Sequence, residues 1–143
     1  MKKGMLGAGG MAALIALSLA ASGTATGNGS STTALRGAGG AFEINFTLRS
    51  RDGEPIALKR FRFSNLEAPC DGGQEATVRG RIRTIPINNR NRFSKTVRRN
   101  GKQVRVKGRV TNDLDKVLGT IRVQGDFGTA VNCDSGRVHW EAS

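Results

Sequence analysis

The sequence contains no tyrosine, one histidine (His139), one tryptophan (Trp140) and two cysteines, Cys70 and Cys133. Each scarcity removes a kind of chemistry. A lone imidazole does not make a metal site, and two cysteines tied to each other lend it no thiolate. Carboxylates are few as well, 11 Asp and Glu against 23 Lys and Arg. Asp52/Glu54 and Asp113/Asp115 fall in turn-like stretches, where short acidic side chains bond the local backbone. Asp113-Leu114-Asp115 lacks the ligand count of a calcium loop. Asp71 and Asp134 each follow a cysteine and read as turn caps. No serine stands in a Gly-x-Ser-x-Gly elbow, and a nucleophile without a base is inert. The glycine clusters Gly7–Gly10 and Gly37–Gly40 neither follow a strand nor open a helix, so they are not phosphate loops. The expectation is a non-enzyme with no catalytic residues, no metal and no cofactor. A hydrolase with an unrecognised site around His139 or Asp134 is the remote alternative.

Long apolar runs are missing too, with one exception. Lys2 and Lys3 precede an uncharged stretch, Met5–Ala21, followed by small residues. That is the layout of a secretory signal peptide, and its apolar part is too short and too glycine-broken to span a bilayer. We expect a signal peptide over 1–25, a flexible Gly/Ser/Thr leader over 26–40 and one β-domain over 41–143, secreted or associated with the cell surface. No membrane span is expected after cleavage. In an exported chain an even cysteine pair reads as a disulfide, here Cys70–Cys133. It closes a loop of about 64 residues, worth roughly 4 kcal/mol in the chain-entropy model.

What remains is almost entirely β-pattern. Phe42, Ile44, Phe46 and Leu48 alternate with Glu43, Asn45, Thr47 and Arg49, the period of a half-buried strand. Similar alternations run through Ile56–Cys70, Ala76–Thr84, Phe93–Val97, Val104–Thr111, Val117–Val123, Val131–Cys133 and Val138–Trp140. Asp52-Gly53 and Asn100-Gly101 mark turns. Ile85 and Ile87 are out of phase with Val78 and Ile82, which predicts a bulge or break near Thr84–Pro86. No stretch has helical period. About eight short strands predict an all-β fold, an antiparallel sandwich of generally immunoglobulin-like architecture or a small barrel. Trp140 lies beyond the second cysteine and the corner tyrosine is absent, so immunoglobulin topology itself is not implied.

The segment Phe61-Arg62-Phe63-Ser64-Asn65-Leu66…Cys70 and the ending Cys133-Asp134-Ser135-Gly136-Arg137-Val138-His139-Trp140-Glu141-Ala142 resemble small secreted proteins of high-GC actinobacteria. Those proteins carry a signal peptide, one cysteine pair and a closing Cys-Asp-Ser/Thr-Gly-x-x-x-Trp-x-Ala motif. The resemblance spans about residues 42–142. It implies a fold and an extracytoplasmic address, and brings no functional residues with it.

Charge is the remaining signal. Without Lys2 and Lys3 the chain has 21 basic and 11 acidic residues, a net charge of +10. The cations are ordered: Arg60/Arg62, Arg79/Arg81/Arg83 and Arg105/Lys107/Arg109 each occupy the polar side of an alternating segment. If these strands are neighbours, Arg79, Arg81, Arg83, Arg105, Lys107 and Arg109 make a cationic plate. Guanidinium forks grip phosphate, sulfate or carboxylate in pairs of hydrogen bonds. The expected role is a monomeric binding domain for an anionic polysaccharide or wall polymer, with no sequence-specific nucleic-acid contact. The alternative is a structural or interaction module of the envelope.

Overall fold

The alternation seen in sequence becomes one long antiparallel sheet. The computed structural model describes residues 29–39 and 42–143; the expected signal segment 1–25 lies outside the described residues. The strands are β1 (Ser30–Gly39), β2 (Phe42–Arg51), β3 (Glu54–Pro69), β4 (Glu75–Pro86), β5 (Arg92–Arg99), β6 (Lys102–Val110), β7 (Val117–Phe127), β8 (Ala130–Asp134) and β9 (Val138–Ala142). They are ordered β4-β3-β2-β1-β9-β7-β6-β5, with β8 paired to β7 off this path. The sheet curls until its end strands, β4 and β5, lie side by side without pairing, so it forms a nearly closed barrel and not two facing sheets. Among the described residues no helix is long and apolar enough to cross a membrane.

The expected all-β fold of about eight strands, in its small-barrel form, is what the chain adopts, with nine strands in all; one boundary is corrected. The ninth is β1, inside the supposed leader 26–40: it pairs with β2 along its whole length, from Ser30↔Arg51 to Gly39↔Phe42. The folded domain therefore begins before residue 41. Composition misled because β1 is held mainly by the backbone ladder that β2 offers, and its one large apolar side chain, Leu35, points inward and is buried. Gly37 lets β9 come close, since a Cβ there would overlap the Glu141 carbonyl.

The phase shift around Thr84–Pro86 is real, but β4 does not break. Ile82 and Ile85 are both buried, opposite Phe61 and Leu58. Between those two β3 residues lies Arg60, at φ 53°, where the register of β3 against β2 slips. This is a β-bulge, which sharpens local twist and re-aims side chains. Asn65, at φ 58°, sits at a second slip, between β3 and β4.

Inside the barrel the aromatics meet. Trp140 contacts Phe46, Phe61 and Phe93 at centroid distances of 5.9, 5.7 and 6.2 Å. Three aromatics face glycine across a strand pair: Phe63↔Gly80, Phe93↔Gly108 and Gly119↔Trp140. Any side chain at those glycines would collide with the ring opposite. The glycines interrupting the apolar alternations are thus the spaces that the rings fill.

The Cys70–Cys133 disulfide forms as expected. It joins the end of β3 to β8, so it straps the β3–β4 side of the barrel to the β7–β8 hairpin. Asn132 Nδ2 donates to Asp71 Oδ2 at 2.6 Å beside it.

Candidate anion-binding face

The register of the first four strands builds a row. Arg36 on β1 pairs with Asn45 on β2, Asn45 with Arg62 on β3, and Arg62 with Arg81 on β4. All four are exposed on the outer surface. Neighbouring strands lie roughly 4.8 Å apart, so the row crosses the sheet at right angles to the strands with one polar side chain per strand. Arg60 and Arg79 flank it. Shallow grooves of about 670 and 620 Å³ run along the row and share Asn45 and Arg62 in their walls.

Local chemistry explains why the row holds. The inward neighbours Ile44, Phe63 and Ile82 are buried, and strand alternation turns Asn45, Arg62 and Arg81 outward. Arg60, on the bulge, faces the larger groove. A bulky residue at positive φ is uncommon and costs on the order of 1–3 kcal/mol. Asparagine or glycine would hold the bend more cheaply.

These cations lack internal partners. Among the described residues the ion pairs are Lys116–Glu141, 3.4 Å, and Arg122–Asp134, 2.6 Å. Neither touches the row. Glu43 is the acid in the wall of the larger groove, and none lines the smaller. Forks standing free in an open groove can each accept a planar oxyanion.

The six basic residues singled out in the sequence do not form one plate. Arg79, Arg81 and Arg83 on β4 and Arg105, Lys107 and Arg109 on β6 are all exposed, but β4 pairs with β3 while β6 pairs with β5 and β7. The unpaired β4–β5 seam and β5 itself lie between the triplets. Arg79 and Arg81 join the row; Arg83 lies level with Arg60, by the register on either side. Sequence reasoning passed over Arg36, which stood in the supposed leader, and Asn45, read as an ordinary polar alternate. Only strand order brings them beside Arg62.

The β6 triplet belongs to a second face. Arg109 is flanked by Arg92 and Leu118, and Lys107 by Ser94 and Thr120, with His139 next along on β9. These rows edge an open groove of about 640 Å³. Glu141 lies in it, paired to Lys116. His139 is exposed, with no acid bonded to it among the described residues. Arg105 pairs in register with Arg122, and Arg122 is occupied: its Nε and Nη2 donate to Asp134 at 3.0 and 2.6 Å. That fork, helped by the Gly136 amide, lowers the Asp134 carboxyl to a pKa of about 2. This face is therefore partly neutralised where the β1–β4 row is not.

Two further carboxylates are held in local structure. Asp115 accepts from the Thr111 hydroxyl at 2.9 Å, Asp126 from the Asn132 amide at 2.8 Å, and Asp134 also caps its turn through Gly136 at 2.8 Å. No group of three His, Cys, Asp or Glu able to hold a metal occurs among the described residues. No family model, no curated protein and no solved structure matches this chain.

Proposed function

We propose that this is an exported, non-enzymatic domain that binds anionic polymers of the cell envelope, wall phosphopolymers or acidic polysaccharides, and that the β1–β4 arginine row is its contact face. The observation that carries the reading is the alignment of Arg36, Arg62 and Arg81 around Asn45 with no acid paired to any of them. Like charges set side by side cost stability unless an anion relieves them. A polymer lying across the strands would meet a cation at most steps. Phe42, Phe46, Phe61, Phe63 and Phe93 are buried, so this face offers no stacking platform for bases, and nucleic acid would be held without sequence preference. An oxidising compartment suits the disulfide.

The test is titration with heparin, teichoic acid and duplex DNA at low and physiological salt. Counterion release predicts affinity that falls steeply with salt. Replacing Arg36, Arg62 and Arg81 together by Ser should weaken heparin and teichoic acid binding by about tenfold or more. The Arg105/Lys107/Arg109 triple should weaken it less. No binding at low salt, or equal effects of the two triples, overturns the assignment to this face.

A further inference from the structure

The barrel leaves a second site that meets the arginine row at Arg79 and Arg81 and otherwise lies apart from it. β4 and β5 are its end strands, each hydrogen-bonded on one side only. Among the described residues no backbone hydrogen bond joins the two strands. The seam is bounded by the 87–91 connection at one end and, towards the other, by the Cys70–Cys133 strap. Between them opens a cleft of about 440 Å³. Phe63, Val97, Val104 and Phe127 give it an apolar floor; Arg79, Arg81, Arg99 and Lys102 stand in its walls, and no acid lines it. Lys102 Nζ lies 5.1 Å from the centre of the Phe127 ring, which keeps that cation over the cleft.

We propose that this seam takes up an extended peptide segment of a partner protein, one that alternates acidic and apolar residues, by strand addition to the open edges of β4 and β5. Three features select that occupant. Unpaired N–H and C=O groups on a strand edge are a template for another backbone. A lipid chain would fill the floor and leave those groups unmet. The floor asks for apolar side chains at every second position, the period of a strand. The walls ask for negative charge on the remaining positions. A second copy of this chain is disfavoured, because pairing edge to edge sets Arg79 and Arg99 against their own kind across two strongly basic bodies.

The probe is a capped eight-residue peptide of alternating Glu and Val, with two controls: the same peptide N-methylated at alternate residues, and a Lys–Val analogue. The Glu–Val peptide should bind at low salt and slow hydrogen exchange in Thr77–Arg83 and Arg92–Arg99. N-methylation should abolish both effects. Arg99→Glu with Lys102→Glu, two exposed changes that leave the core intact, should weaken Glu–Val binding on the order of tenfold and admit the Lys–Val analogue. Arg36→Ser with Arg62→Ser should leave Glu–Val binding unchanged while lowering heparin affinity, so the two sites succeed or fail separately. The proposal is overturned by no binding at low salt, by equal binding of the N-methylated peptide, or by loss of binding in the Arg36/Arg62 variant with none in the Arg99/Lys102 variant.

Discussion

Trp140 packs its indole directly over Gly119, its register partner on β7, and a Cβ at 119 would lie 2.7 Å from the ring's Cε2. The glycine is the floor on which the largest core side chain rests. Gly119→Val should therefore overpack the centre of the barrel and cost about 1–3 kcal/mol. Trp140→Ala should empty the aromatic cluster and cost about 3–5 kcal/mol. Chemical denaturation measures both. The native emission of Trp140 should be that of a buried indole, and Gly119→Val should shift it.

Arg60 provides a test in which stability and binding move in opposite directions. Its φ of 53° suits glycine. Arg60→Gly should raise stability by up to about 1 kcal/mol while weakening polyanion binding, and Arg60→Ala should weaken binding without the gain. Thermal melts and heparin titration of both variants check this. A Gly variant that is less stable than the parent would mean that the arginine side chain itself holds the bulge.

Asp134 ties stability to acid. Its carboxyl sits at a pKa of about 2 in the fold, chiefly because Arg122 donates to it, and near 3.9 when unfolded. A depressed folded pKa stabilises the protein above the unfolded value, and that stabilisation fades as pH falls towards 2. The parent should outlast Asp134→Asn at pH 5 to 7, and the difference in melting temperature should vanish by about pH 2. Because the pair is half-exposed, the difference should be small and should shrink with salt.

The strand at Ser30–Gly39 can be tested by two charges. Leu35→Asp puts a carboxylate into the core and should cost roughly 3 kcal/mol or more. Thr32→Asp, exposed on the same strand, should be nearly neutral. Equal, negligible effects would return this segment to an unstructured leader. Removing the strap by Cys133→Ser with Cys70→Ser should cost about 2–5 kcal/mol.

The local patterns were legible in the sequence; what depends on closure was not. Phe42 to Leu48 and Val104 to Val110 announce their strands because one side of each faces the core. The cysteine pair could be read from export and an even count. β1 could not, since Ser30–Gly39 gain their order from the open edge of β2 and from Gly37 passing under β9, which are long-range facts. The arginine site was half visible for the same reason. Alternation shows that Arg62 and Arg81 face outward, but only strand order sets them in one row with Arg36, across Asn45, and keeps them from Arg105.

β9 has five residues, yet it alone hydrogen-bonds the β1–β4 meander to the β5–β8 meander among the described strands, through Val117↔Ala142 to Ile121↔Val138 on one side and Gly37↔Ala142 and Ala38↔Glu141 on the other. This sets an order of folding. Each meander can form from sequence neighbours, whereas β9 must bring together strands about a hundred residues apart, and such contacts are slow to make. Closure should then be the rate-limiting event, with the thiols of Cys70 and Cys133 meeting once the barrel has shut. The reduced chain should refold in one slow phase of Trp140 emission. A chain denatured with its bridge intact should refold faster, and identical rates would show that the meanders dock before the cysteines are near.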